Sequence, residues 1–302
     1  LSKSFGATRA LDSMTMTIPD GAFVVLLGPT GAGKTTTLRL IAGLERPDAG
    51  DIRIGGASVV THMPAQRDVA MVFQQYSLYP HLSVRDNLAF PLRSPVLRMA
   101  EAEVARRVDE VADVLRIAHK LGNKATQLSG GEMQRVSIGR ALVRNPRIYL
   151  MDEPLSSLDA KLRADLRVEL KRIHADLGAT FLYVTHDQIE AMTMATHVGV
   201  LDRGRLVQFG TPREIYEQPA NLHVAARLGQ PHMNLLPVNL ITPAQMPKGT
   251  AVIGARTEHL RITPARNGSA NARLEWVEHL GDQNHLHVEC KGRKIVSLSE
   301  PN

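Results

Sequence analysis

The sequence predicts an α/β fold with a largely parallel sheet, an inserted helical subdomain and a small β-rich domain at the end. Three observations predict it. Short apolar runs of strand length alternate with segments of helical period, before about residue 75 and again from Ile148. Between about 75 and 140 the strand signal vanishes, and helical segments follow a stretch broken by Pro80, Pro91 and Pro95. After about residue 230 the texture changes to short segments broken by Pro231, Pro237, Pro243, Pro247, Gly249, Gly254 and Pro264. The expected domains are 1–228, with the helical insert at about 75–140, and 229–302, which suits a chain of 302 residues at roughly 100 to 200 per domain.

Taken in order, the first marked strand is Phe23 to Leu27, followed by a glycine-rich turn and a helix starting near Lys34. Val104, Val108, Val111 and Leu115, at spacings of four, three and four, form one face of a helix in the insert. The main sheet resumes with Ile148 to Met151. Leu162, Leu166, Leu170, Ile173 and Leu177 then keep one apolar helical face until Gly178 stops it. Phe181 to Thr185 is the next strand. Val198 to Leu201 turns through Asp202, Arg203 and Gly204 into Arg205 to Phe209.

Composition narrows the classes. Hydrophobic residues make up 43% and charged residues 22%, which argues against disorder, collagen and coiled coil. No apolar stretch approaches the roughly 20 residues that span a bilayer. The single cysteine, Cys290, cannot form an internal disulfide, and the first residues lack the apolar core of a secretion signal, so a reducing cytoplasm is expected. The chain opens on Leu1, so a short N-terminal piece is expected to be missing and a first strand incomplete. A net charge of +6 would allow a polyanionic partner, but the basic residues are scattered, and no nucleic acid is expected.

Gly28-Pro29-Thr30-Gly31-Ala32-Gly33-Lys34-Thr35 fits the phosphate-loop pattern and lies between an apolar strand and a helix, as the chemistry requires. Backbone N–H groups freed by the glycines would cradle phosphates, aided by the helix dipole. Lys34 would neutralise the outer phosphates, and the Thr35 hydroxyl would ligate Mg²⁺, with Thr36 next along the helix. Asp152 and Glu153 end the strand begun at Ile148. At its C-terminal edge, one carboxylate can hold Mg²⁺ while the other polarises the attacking water. Ser129-Gly130-Gly131-Glu132 opens a helix. Ser129 and Glu132 form a capping box, and the same turn makes an anion-binding nest.

The run LSGGEMQRVSIGRAL resembles the signature of the ATP-binding-cassette (ABC) ATPases, which read LSGGQ at this point. The resemblance implies a RecA-like P-loop NTPase core. Gln74, in VFQQYSLYPHLSV, is similar to the Q-loop glutamine that senses Mg²⁺, Ser157-Leu158-Asp159 to the D-loop, and His186 to the switch histidine. Phe5 falls where the family stacks an aromatic on adenine. The resemblance implies that Glu153, His186, Gln74 and Lys34 serve catalysis. It also implies that Thr35, Gln74 and Asp152 hold Mg²⁺, and that Phe5, the phosphate loop, Ser129, Gly130, Gly131 and Asp159 contact ATP. The family pairs head to tail, as homodimers or with a close paralogue, so Ser129 and Gly131 would come from the other copy. Glu132 departs from the usual glutamine and adds a negative charge near the nucleotide.

The segments Gly229 to Val238, Gly254 to Ile262 and Trp276 to Glu289 resemble the OB-like regulatory domain of maltose- and glycerol-phosphate-type importer ATPases, which is usually longer; this one is expected to be incomplete. The implied role is ATP hydrolysis that powers uptake of a carbohydrate. The implied partners are two transmembrane permease subunits and, indirectly, an extracytoplasmic solute-binding protein, with the chain peripheral on the cytoplasmic face of the inner membrane. Importers of polyamine or iron, and soluble ABC ATPases acting on nucleic acid or ribosomes, are the alternatives. Tyr76, Leu78, Tyr79 and Leu82, interrupted by Ser77, Pro80, His81 and Ser83, fit no regular period and are expected to form the permease-docking surface, anchored by Tyr79. In the tail His285 and His287 alternate on one face with Cys290 and His279 nearby. Solvated strand histidines explain them, and zinc is not expected.

Overall fold

The computed structural model describes residues 1–301 except 95, 96, 98, 239, 241–246 and 266–269, so Pro95 and Pro243 lie outside the described residues. The strands are β1 Lys3–Phe5, β2 Thr8–Leu11, β3 Phe23–Leu27, β4 Arg53–Ile54, β5 Ala57–Ser58, β6 Val69–Val72, β7 Ile148–Asp152, β8 Thr180–Thr185, β9 His197–Asp202 and β10 Arg205–Gly210, then β11 Asn234–Pro237, β12 Val252–Ala255, β13 Arg273–His279, β14 Asn284–Cys290 and β15 Arg293–Ser299. The helices are α1 Lys34–Ala42, α2 Val84–Ala89, α3 Glu101–Val114, α4 Gly130–Leu142, α5 Ala160–Leu177, α6 Gln188–Met194, α7 Pro212–Glu217 and α8 Leu222–Arg227. The chain divides into two compact units, Leu1–Ile215 and Tyr216–Asn302.

In the first unit six strands form one sheet in the order β10-β9-β3-β8-β7-β6; all neighbours are parallel except the β9–β10 hairpin. A strand buried on both faces needs an unbroken apolar run, and Phe23–Leu27 and Thr180–Thr185 are buried at every position. One face of the sheet is aliphatic, with Val24, Leu26, Leu150, Leu182 and Val184 packed with Leu38 and Leu40 of α1. The other is aromatic. Phe23, Tyr149 and Phe181 stack with ring centroids 4.6 and 5.3 Å apart, and His174 of α5 meets Phe23 edge-on at 5.2 Å.

Sequence periodicity locates α3 and α5 with two adjustments. The core face of α3 includes Ala112 beside Val104 and Val108. Leu177, expected on the buried face of α5, is 42% exposed, because it is the last helical residue before the left-handed turn at Gly178. It borders a surface groove with Val114 and Leu142. Strand β6 lacks any alternation that would separate it from a helix turn. The β1–β2 hairpin is too polar to register as core.

Arg67 ties the end of α1 to the segment that leads into β6. Its side chain is 2% exposed, and it donates to the carbonyls of Leu40 at 2.7 Å, Ile41 at 3.0 Å, His62 at 3.1 Å and Val60 at 3.2 Å. Two of these are carbonyls in the last turn of α1, where i→i+4 partners run out; that of Leu40 also accepts from the capping Gly43 N–H at 3.2 Å. Charged hydrogen bonds contribute about 1.5–3 kcal/mol each when their loss strands a buried acceptor. Arg67→Ala is therefore expected to destabilise the chain by at least about 3 kcal/mol, lowering Tm by about 6 °C or more in calorimetry. A Tm within two degrees or so of the parent would remove Arg67 from this role.

The second unit holds the two-stranded β11–β12 pair and a three-stranded antiparallel sheet, β13-β14-β15. It begins before residue 228 because Arg256 gathers the preceding segment: its guanidinium donates to the carbonyls of Tyr216 at 2.9 Å, Ala225 at 3.2 Å and Leu228. The guanidinium also lies 3.9 Å from the Tyr216 ring. His285 and His287 are not solvated as expected, since both face the carboxylate of Glu278 on β13. Cys290 points to the opposite face of β14, donating to the Asn271 carbonyl.

Candidate active site

Parallel strands end together, so the topology gathers the sequence motifs along one edge. In the order β3-β8-β7-β6, spaced about 4.8 Å per strand, the C-terminal ends lead into Gly28, His186, Glu153 and Gln74 respectively. This is the crevice in which open α/β sheets bind ligands.

The phosphate loop is shaped by close backbone approach. A Cβ on Gly28 would sit 2.6 Å from the Leu201 carbonyl oxygen, and one on Gly33, at φ 99°, 2.6 Å from that of Ala10. Only glycine fits either place. No side chain caps α1, whose N-cap is Gly33, so its first-turn N–H groups are left for an anion. Pro29, Thr30, Gly31 and Ala32 complete the loop, and the buried Lys34 ammonium folds back onto the carbonyls of Gly28 at 2.9 Å and Pro29 at 3.1 Å. Thr36 is partly buried on the first turn of α1.

Five of the expected site residues are joined by contact. Thr35 donates from its hydroxyl to Asp152 Oδ1 at 2.9 Å, Lys34 Nζ lies 3.6 Å from Glu153 Oε1, and His186 Nδ1 lies 3.0 Å from Glu153 Oε2. Burial pushes the Asp152 carboxyl above the ordinary range, and the Glu153 charge adds to the shift; the Thr35 hydrogen bond and Lys34 oppose it. A buried carboxylate so incompletely compensated, with a threonine hydroxyl against it, suits a hard cation with oxygen ligands. Glu153 holds a left-handed backbone at φ 44°. That conformation costs a non-glycine residue about 1–3 kcal/mol and aims the side chain at Lys34 and His186 instead of along the strand.

The remaining residues stand apart: among the described residues, no contact joins Phe5, Gln74, Ser129, Gly131 or Asp159 to this cluster. Phe5 is 45% exposed, with the Lys3 ammonium 5.1 Å from its ring. Gln74 is exposed beyond the end of β6. Ser129 caps α4, accepting from the Glu132 N–H, while Glu132 Oε2 accepts from the Ser129 N–H at 2.8 Å. That N–H and the Lys120 ammonium, 3.2 Å away, hold the Glu132 carboxyl below its usual range, so the charge that replaces glutamine is already partnered. Gly130 opens α4. A Cβ on Gly131 would collide with Leu162 of α5 at 2.1 Å, so the signature turn packs directly on the helix that Asp159 caps through the Leu162 N–H.

Sequence reading missed the clamp on the loop after Gln74. Asn87, fully buried in α2, accepts from the Tyr79 N–H at 2.9 Å, and its amide donates to the carbonyls of Tyr79, Leu82 and Ser83. The one local signal is a polar residue of poor helix propensity inside a helix. Tyr79, expected to anchor a partly exposed docking surface, is half-buried between the Phe90 ring at 4.4 Å and the Arg140 guanidinium at 4.7 Å. Tyr76 reaches across to Ser157, hydroxyl to hydroxyl at 3.2 Å.

Residues 11–156 match the ABC transporter family, and residues 253–302 match the TOBE domain. The sn-glycerol-3-phosphate import ATP-binding protein UgpC of Ruegeria pomeroyi is 47% identical over 99% of this chain and 88% of its own length. That of Cupriavidus necator is 45% identical over 96% and 86%. Among solved structures, a dimeric ATP-binding cassette in a post-hydrolysis state with ADP and phosphate superposes with a TM-score of 0.62 at 30% identity, covering 70% of this chain and 95% of that one. A Clostridium perfringens cassette, part of an ABC transporter complex, gives 0.67 at 26%, covering 73% and 89%. With a phosphate loop, two strand-end carboxylates and a histidine joined at one sheet edge, and relatives matched along nearly its whole length, the chain belongs to the ATP-binding, ATP-hydrolysing subunits of ABC transporters.

Proposed function

We propose that the chain hydrolyses Mg²⁺-bound ATP to drive import of a phosphorylated polyol of the sn-glycerol-3-phosphate kind, in keeping with its relatives' names. The observation that carries the enzymatic half is the chain of contacts from Thr35 through Asp152 and from Lys34 through Glu153 to His186. Thr35, Asp152 and Gln74 would hold Mg²⁺, which when bound neutralises phosphate charge. Glu153 takes the proton of the attacking water, and His186, against its other oxygen, orients it. Phe5 offers a half-exposed face for adenine. Ser129, Gly130 and Gly131 serve the nucleotide of a second copy, a reading supported by the lack of any contact, among the described residues, between them and the phosphate loop; Asp159 holds the helix behind them. The first unit, Leu1–Ile215, does this work, and the second, which takes in the 229–302 segment expected from the sequence, is regulatory.

No described helix is long and apolar enough to cross a membrane. Transport therefore rests on docking to two permease subunits at the cytoplasmic face of the inner membrane, with a solute-binding protein acting from the other side. The test is hydrolysis by the complex reconstituted with permease subunits of a glycerol-phosphate importer. Binding protein loaded with glycerol phosphate should raise the rate several-fold, and EDTA should reduce it to background while nucleotide remains bound. Stimulation by a polyamine or iron carrier instead would replace the cargo. Stimulation by RNA, without response to the permease, would overturn the importer reading.

A further inference from the structure

On the three-stranded sheet of the second unit, Glu278 of β13 pairs directly across from His285 of β14, and His287 lies one step diagonally along the same face. Alternation on a strand brings all three side chains to one side. Glu278 Oε2 is 3.1 Å from His285 Nδ1 and 3.4 Å from His287 Nε2, and the three atoms all lie within 4.8 Å of one another. We propose that this cluster is a binding site for a divalent transition ion of the Zn²⁺ class, separate from the nucleotide chemistry and independent of the transport reading.

Four features carry it. Two imidazole nitrogens and one carboxylate oxygen form a donor set that suits Zn²⁺ and leaves a fourth position for water. With metal–ligand bonds of about 2.0–2.1 Å, neighbouring ligands of a tetrahedral site lie about 3.3 Å apart, and the two observed separations straddle that value. The rings are held in place. His285 Nε2 has the Gln283 amide 3.4 Å away, and the His287 ring stacks on Trp276 at 3.8 Å with a 9° tilt, the kind of outer support that ligating histidines need. Finally, no lysine or arginine competes: among the described residues Glu278 meets only the two imidazoles, because Arg273 pairs with Glu289 and Lys294 with Glu275. The site involves neither Cys290 nor His279. The first lies on the other face, and the second is bonded to Asn284.

Trp276 is the chain's single tryptophan, so its emission reports this sheet alone. The full chain, stripped of metal and free of nucleotide, is titrated with Co²⁺ and then with Zn²⁺. Co²⁺ should quench the emission saturably at one ion per chain, and Zn²⁺ should displace it. In Glu278→Gln, which keeps the shape, the half-saturating concentration should rise at least about tenfold with emission, circular dichroism and basal hydrolysis unchanged. His285→Asn should behave alike, covering the case in which one variant fails to fold. Quenching that is absent, unsaturable, or equally tight in both variants overturns the site.

Discussion

Glu153→Gln should bind ATP as tightly as the parent, lose at least about a hundredfold in turnover and accumulate as an ATP-bound dimer on gel filtration. The amide matches the carboxylate in shape, so the phosphate loop, Lys34 and the Thr35–Asp152 bond are left in place. It cannot accept the proton of an attacking water, and general-base catalysis contributes about 10²–10⁴-fold. The geometry makes the replacement a sharp probe. Glu153 is the residue whose two oxygens are shared, one toward Lys34 at 3.6 Å and one toward His186 at 3.0 Å, and it is held there by a left-handed backbone. Glutamine can keep both contacts only by turning its NH₂ toward one of them. With ATP closing the proposed dimer and hydrolysis releasing it, blocking hydrolysis traps the closed form, a ligand-biased two-state equilibrium that ATP alone then governs. Turnover within a few-fold of the parent, measured by phosphate release, would take Glu153 out of the proton-accepting role.

How much of this was legible follows from how each residue is placed. The phosphate loop, Asp152, Glu153 and the Ser129–Glu132 cap could be read from the sequence because each is a contiguous string whose own backbone makes the local structure. Strands β3, β7, β8 and β9 could be read because burial on both faces demands unbroken apolar runs, and the sheet order then brings their ends together. What escaped depends on pairings distant in sequence. Arg67 looks like any surface arginine until the C-terminal carbonyls of α1 are folded against it. Asn87 carries no motif, yet it fixes the loop that follows Gln74. Glu278 is one acidic residue in a polar strand until the β13–β14 register sets it opposite two histidines. Tyr79, read as the anchor of a partly exposed surface because an irregular run of aromatic and polar residues fits no regular period, is indeed half-buried, but the sequence could not show that Phe90 and Arg140 flank its ring.

That enclosure shifts the docking argument by one aromatic. Beside the loop lies a groove of 380 Å³ lined by Phe73, Tyr76, Ser77, Pro91, Arg140 and Arg144. Arg140 braces its wall by donating to the Ser77 carbonyl and covering the Tyr79 ring. Phe90 stacks on that ring from the other side and is 49% exposed at the end of α2, and Phe73 is 39% exposed. Two large aromatic side chains left half in water beside a lined groove are uncommon unless something covers them, and an importer subunit must be covered by its permease. Phe90 is the better handle, since it contacts none of the nucleotide residues and its removal spares the Asn87 clamp. Phe90→Asp should leave ATP binding unchanged and lower Tm by only a few degrees, since the loss is the Tyr79 stack, about 0.5–1.5 kcal/mol. A buried aromatic anchor at an interface contributes about 2 kcal/mol or more, so co-purification with the permease should weaken at least about thirtyfold. Solute-stimulated hydrolysis should be lost with it, while Phe90→Tyr should restore both. A Phe90→Asp chain that still assembles with the permease and responds to solute would place the docking surface on another face of the molecule.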